Sequence, residues 1–429
     1  MSFKIRAVTL GCMAALGMGF NANSAEVLGK TLEVYGSLYP EINNITYTDA
    51  VAGNALSTMS AGKVTPGVSA AKTKVSKDQI NWSQSYIGVK GQKSFGDITI
   101  GYDFQGVMAP NKTLDSSIEN ITTGSPKPVQ ALFGDTRDAF VSIQHKAIGS
   151  FQFGQMDTAY KEYGDRVRML GVSSSNFTST SGVLSGVGWR ASTATDALGA
   201  GTTSFNTRVG SQMRWESPVM GGLQAALSYR QDPNKTALKN QSLQAMALRW
   251  TDGTYYVAAQ QEVHNDYLAF SGNLLKELSA TSVYNLGTAR SKDTATRVSF
   301  GYKKNALGLA ADFATLNYTE ASSAVGKFSS YKTNTYQVSA DYALSPEWNV
   351  AANFANGAAG TCTLLGGATC TTAGLGGSLT SLGAKYNFDK NISLFAMYGL
   401  NKSNSSAVFA SSNVGGKTTN TAIGVLIKF

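Results

Sequence analysis

The side chains best suited to chemistry lie in one charge-dense run and shortly after it. The run reads Asp157-Thr-Ala-Tyr160-Lys161-Glu162-Tyr163-Gly-Asp165-Arg166-Val-Arg168, and Arg208 and Arg214 follow farther on. Their chemistry is that of fixed charge: opposite signs held close together set up a field that orients dipolar solutes and biases which ions approach. Bond-making chemistry has little to work with. The two histidines, His145 and His264, fall near opposite ends of expected strands and cannot share a site. No Gly-x-Ser-x-Gly elbow occurs. Gly415-Gly-Lys-Thr418 imitates the end of a phosphate-binding loop, but Ser411 stands where the first glycine is required. No catalytic centre, cofactor or metal is expected.

The elements that must position these charges are strands. Leu32-Glu-Val-Tyr-Gly-Ser-Leu-Tyr-Pro-Glu-Ile42 places apolar or small residues at even positions and Glu33, Tyr35, Ser37, Tyr39 and Glu41 at odd ones. That period of two puts one face against lipid and the other against water. Similar segments recur to Phe429, with Asp252-Gly253, Lys304-Asn305, Ser345-Pro346 and Asp389-Lys390-Asn391 as tight turns. Short turns alternate with long loops, and aromatic residues recur at segment ends (Trp215, Trp250, Tyr302, Tyr342, Trp348, Tyr398), where an interfacial girdle would place them. Between Met156 and Asn206 the alternation stops, and this Ser/Thr/Gly-rich stretch reads as a loop folded into the bore.

The address agrees. Lys4 and Arg6, an apolar run from Ala7 to Phe20 and the small-residue tail ending at Ala25 describe a secretory signal peptide over residues 1–25. Residues 26–429 then form a transmembrane antiparallel β-barrel of 16 to 18 strands, the larger count including Tyr267–Leu274 and one neighbouring segment. No later apolar run approaches the length of a membrane helix. Charged residues make up only 15% of the chain and its net charge is +9, spread without a basic cluster, so no nucleic-acid partner is expected. Cys362 and Cys370 share a Gly/Thr-rich loop without a nearby histidine. In an exported protein such a pair reads as a disulfide rather than a zinc site.

Leu32-Glu-Val-Tyr-Gly, Ile87-Gly-Val-Lys-Gly, Ala139-Phe-Val-Ser-Ile, Arg208 through Pro218 with Gly221-Gly222, and the last strand ending in Phe429 resemble, in order and spacing, the general porins of proteobacteria. The resemblance implies a 16-stranded homotrimer in the outer membrane, surrounded by lipid and lipopolysaccharide. It implies that the third outer loop, here 156–206, narrows a passage for ions and small hydrophilic solutes. Phe429 would be the signal for membrane assembly, and Arg208 stands where the family often places a constriction arginine.

Parity then nominates the pore residues. Asp157, Glu162 and Asp165 on the loop would face Arg208 and Arg214 on the wall. Lys90, Arg230, Arg249, Arg297 and Lys385 would line the lumen elsewhere. Arg137 shares parity with Ala139 and Val141, which puts it at a rim or subunit interface. Lumen cations slightly outnumber Glu33, Asp97, Asp103, Asp312 and Asp341, so a weak anion preference is expected. The rival function is a substrate-specific channel for a sugar or small organic acid, with Tyr160, Tyr163, Phe177 and Trp189 as stacking surfaces.

Overall fold

The computed structural model describes residues 25–26, 32–50, 56–60, 63–66, 73–82, 85–108, 133–164, 170, 205–231, 240–267, 290–321, 328–364, 372, 376–409 and 413–429. Sixteen antiparallel strands close into a barrel. β1 runs as Glu33–Leu38 and Glu41–Ala50, and β2 as Thr73–Asn81 and Tyr86–Phe95. β3 (Ile98–Met108), β4 (Phe133–His145), β5 (Gly149–Asp157) and β6 (Arg208–Glu216) follow. Next come β7 (Leu223–Gln231), β8 (Ser242–Thr251), β9 (Tyr255–Asn265), β10 (Arg290–Lys304) and β11 (Leu307–Ala321). The circuit is completed by β12 (Phe328–Ala343), β13 (Trp348–Gly357), β14 (Gly377–Asn387), β15 (Ile392–Phe409) and β16 (Asn413–Lys428).

The strand count resolves to the lower value. Asn265↔Lys292 through Tyr255↔Tyr302 pair β9 directly with β10, so no hairpin intervenes in the wall. Tyr267–Leu274, the segment on which the larger count turned, lies outside the described residues apart from Tyr267. The polar stretch from Asn43 to about Gln79 reads along the chain as the first outer loop, but both of its ends are strand. Strands continue through Glu41–Ala50 and Thr73–Asn81, where Asn44 and Thr46 both bond to Ser76 across that hairpin.

Alternation divides the wall as the strand period requires. Phe300, Val298, Leu309, Phe313, Tyr336 and Val338 are exposed on the outer face, while Ser299, Arg297, Asp312 and Gln337 are buried on the inner one. At the turn end of the outer face, aromatic rings touch across strands: Tyr255 meets Tyr302 at 5.4 Å and Trp348 meets Tyr386 at 5.0 Å. The turns are held by side-chain caps. Asp252 Oδ1 accepts from the backbone N–H groups of Thr254 and Tyr255 at 2.8 and 2.7 Å, with Gly253 supplying the positive φ of 90°.

The last residue closes the cylinder. Gly36 and Phe429 exchange both backbone hydrogen bonds, at 3.0 and 3.2 Å, so the chain's end is stitched to its first strand. A Cβ on Gly36 would come within 2.5 Å of the Phe429 ring, which explains a residue without a side chain at that point. Cys362 is disulfide-bonded. Cys370, its expected partner, lies outside the described residues, as do residues 1–24 of the expected signal peptide.

Candidate functional site

After β5 the chain leaves the wall and turns into the barrel. Thr158 caps a short helix, α1 (Ala159–Tyr163), whose Ala159, Tyr160 and Tyr163 are buried. The helix docks on β7 to β10 through polar contacts. Ala159 N–H donates to Ser228 Oγ at 2.9 Å, and Thr158 Oγ1 donates to Glu262 Oε2 at 2.5 Å. The Tyr163 carbonyl accepts from Gln260 Nε2 at 3.2 Å and from the Tyr256 hydroxyl. Beyond the helix, Leu170 has crossed to the far wall. It packs with Ala351, Phe395, Met397, Ala422 and Leu426, and its carbonyl accepts from Lys385 Nζ at 2.8 Å. The loop therefore spans the bore.

Two of the expected lumen arginines hold that loop in place. Arg297 is fully buried and lies over the Tyr160 ring at 4.2 Å. Its Nη1 donates to Asn206 Oδ1 at 2.9 Å and its Nη2 to the Tyr160 carbonyl, so one guanidinium ties the outgoing leg of the loop to the returning one. Gly164 leaves the room: a Cβ there would fall 1.5 Å from Arg297 Nη2. Arg249 lies over the Tyr163 ring at 4.6 Å and donates to Gln224. Tyr160 and Tyr163 are thus packing surfaces, not stacking platforms for a solute. Phe177 and Trp189 lie outside the described residues.

The opposite cations face carboxylates. Arg208 lies between Asp138, at 2.6 Å, and Asp157, at 3.2 Å. Arg214 pairs with Glu216 at 3.2 Å and Glu162 at 3.8 Å and donates to the Asp157 carbonyl at 2.8 Å. Lys161 reaches Asp157 at 3.5 Å. Lys90 pairs with Glu33 at 3.1 Å and lies over the Tyr35 ring. Arg230 donates to the Tyr267 hydroxyl at 3.2 Å, and Asp165 lies outside the described residues.

Two β-bulges correct the parity reading. Where Gly154 and Met156 of β5 pair with Gln212 and Val209 of β6, one extra residue is accommodated near Ser211, whose φ is 52°. The alternation slips there: Val209 is 3% exposed while Met213 is 43% exposed, although residues four apart on a regular strand share a face. Arg208 accordingly loses the parity it would have shared with Arg214. A second bulge, between Phe104/Gly106 and Ala139/Thr136, turns Arg137 inward. Its guanidinium lies over the Tyr86 ring at 4.6 Å, so it belongs to the lumen and not to a rim or subunit interface. Asp138, which the sequence reading missed, comes from the same bulge. Three successive polar residues, Thr136-Arg137-Asp138, were the available signal.

Three comparisons place this geometry among known proteins. A family model described as Gram-negative porin matches residues 7–406. No curated protein matches the chain. Among solved structures, an anion-selective porin from Comamonas acidovorans aligns with a TM-score of 0.59 at 12% identity, over 93% of this chain and 99% of that one. OmpT of Vibrio cholerae, in-vitro folded and in trimer form, aligns with a TM-score of 0.55 at 15% identity, over 93% and 99%. OmpF of Salmonella typhi in complex with daunomycin gives 0.55 at 16% identity, over 93% and 97%.

Proposed function

The chain belongs to the Gram-negative porin family and forms a channel in the outer membrane, and from that premise we propose that its third loop sets the aperture while lower-lumen lysines set the sign of its ion preference. The observation that carries the first part is the loop's course from α1 on β7–β10 to Leu170 against β13–β16. A segment fixed at both walls leaves a passage beside it, bordered by Arg137, Arg208, Arg214 and Lys161 with Asp138, Asp157, Glu162 and Glu216. Their charges match, so this cluster supplies a transverse field and little net selectivity.

The weak anion preference rests instead on Lys385 with Lys303 and Lys428, both within electrostatic reach of it, as is Asp341. Among the described residues none of the three lysines has a carboxylate at ion-pair distance. The solved porin from Comamonas acidovorans is described as anion-selective, in keeping with this reading. Reversal potentials across a KCl gradient in a planar bilayer test it: a chloride-side potential is expected, and a clear potassium preference would overturn it.

A homotrimer is supported by the trimer form of the Vibrio cholerae structure. It is also supported by an outward polar network on β1 and β2, where Asn44 Nδ2 donates to Asp78 Oδ1 at 2.7 Å and to Ser76 Oγ at 3.1 Å. A carboxylate on an outer face suits a subunit contact better than lipid tails. Conductance steps in groups of three would accord with it. The fold and family point to a channel rather than an enzyme. General diffusion is favoured over a specific substrate by the burial of Tyr160 and Tyr163, and conductance that falls smoothly with added solute size, without saturation, is the expected result.

A further inference from the structure

A single line of cross-strand neighbours crosses the inner wall toward its outer end. His264 of β9 faces Asp293 of β10, Asp293 faces Tyr318 of β11, and Tyr318 faces Tyr331 of β12. Tyr331 in turn faces Cys362, in the outer segment Thr361–Leu364. The strand period puts His264, Asp293, Tyr318 and Tyr331 on the lumen side, and all are fully buried. Three of them carry rings, whereas Asp293 is short. With strands ~4.8 Å apart, the two rings that flank Asp293 stand ~10 Å from each other, which leaves a notch one ring wide. Phe205 fills it. This residue lies just ahead of Arg208 on the returning leg of the third loop, and it is fully buried. Its ring centroid is 4.6 Å from that of His264 and 5.5 Å from that of Tyr318, so it bridges the two.

The other end of the line is held by the outer segment. The Tyr318 and Tyr331 rings lie 6.1 Å apart, within the range over which aromatic pairs interact. The Tyr331 hydroxyl donates to the Ala359 carbonyl at 3.0 Å, and Thr333 Oγ1 donates to the Ala358 carbonyl at 2.7 Å. Gly360 fits there at a φ of 77°; a Cβ would meet the Lys332 carbonyl oxygen and come within 2.9 Å of the Tyr331 ring. The outer segment therefore presses on one end of the row of rings, and the third loop is keyed into the other. Close-packed side chains take up little displacement by compression, so a shift of Tyr331 passes through Tyr318 to Phe205. Phe205 is either in the notch or out of it, which supplies the two discrete arrangements that coupling between distant sites needs.

We propose that Phe205 is a positioning residue for the aperture, and that the rings of Tyr318 and Tyr331 couple its seat to the outer segment around Gly360. The inference rests on the reading of the third loop as the aperture and adds a place from which that aperture is moved. It is tested on the full barrel by hydrogen exchange of the peptide covering 205–207 and by single-channel recording in a planar bilayer. Gly360→Val is expected to speed exchange at 205–207 roughly tenfold and to make the current noisier, although the substitution lies in an outer segment. Tyr331→Phe keeps the ring and loses only the bond to Ala359, so a smaller change in the same direction is expected. Phe205→Leu empties the notch of its ring and should be noisy by itself. In the double variant F205L/G360V the second substitution should then add nothing, whereas uncoupled sites would add their effects. Additive effects would overturn the inference. So would a Gly360→Val variant whose exchange rises at 359–364 and stays unchanged at 205–207. Faster exchange at 205–207 with an unchanged current would support the coupling and count against the aperture reading alone.

Discussion

Two walls of the same barrel use the same residue type in opposite ways. On β8 and β10, Arg249 and Arg297 lie over tyrosine rings of the loop and bond to side-chain or backbone oxygens. On β6, Arg208 and Arg214 lie among carboxylates. The first pair is structural: Arg297, fully buried, bonds both legs of the loop, and Arg249, tied to Gln224, covers the Tyr163 ring of α1. The second is electrostatic: guanidinium groups paired with acid, Arg208 partly exposed and Arg214 buried, able to shape a field. Inward parity is common to Arg249, Arg297 and Arg214, so parity by itself does not say which task an arginine performs. What the guanidinium meets decides it: tyrosine rings and neutral oxygens for Arg249 and Arg297, carboxylates for Arg214.

The largest effect is expected on the anchoring wall. Arg297→Met leaves the Tyr160 carbonyl and Asn206 without their donor in a dry site, at a cost of about 3 kcal/mol to loop docking. Larger and noisier single-channel conductance, together with new protease cleavage between 164 and 206, is the expected outcome. An unchanged channel would erase the contrast between the walls. Gly164→Val should reproduce that phenotype more mildly, because its side chain must displace the same guanidinium. Arg297→Lys should not rescue, since an ammonium cannot span both acceptors while covering the ring.

On the field-shaping wall the prediction inverts. Arg214→Gln should leave the thermal midpoint within a few degrees while moving the reversal potential toward potassium, because Glu162 and Glu216 lose their counter-charge. A large loss of stability with no change in selectivity would reassign Arg214 to anchoring. A smaller shift in the same direction is expected for Lys428→Gln at the periplasmic mouth, weakening with salt as screening grows.

The smallest effect concerns neither wall but a turn. Hydrogen bonds from the backbone N–H groups of Tyr255 and Thr254 hold the Asp252 carboxyl below its ordinary value. A carboxylate whose folded value is depressed adds stability above its unfolded value and loses it as pH falls through the folded one. Asp252→Asn should therefore lower the melting temperature slightly at neutral pH. The gap from the unmodified protein should close as pH drops below the ordinary aspartate range, as a pH series of melting curves would show.

Much of this molecule was legible along the chain. The two-residue period put Arg297, Asp312 and Gln337 inside and Phe300, Phe313 and Val338 outside, because a strand offers its side chains only two faces. The Asp-Gly and Asp-Lys-Asn turns were readable because their caps act over two or three residues. The break in alternation at Met156 marked the loop, and Phe429 marked the closing end. What the tertiary structure decided is non-local or slips by a single residue. The direct pairing of β9 with β10 set the number of strands. Bulges on β4 and β6 brought Arg137 and Asp138 inward and separated Arg208 from Arg214, since one extra residue inverts everything beyond it. The division of the arginines into anchors and field-makers depended on where a loop more than ninety residues earlier in the chain came to rest against Arg297.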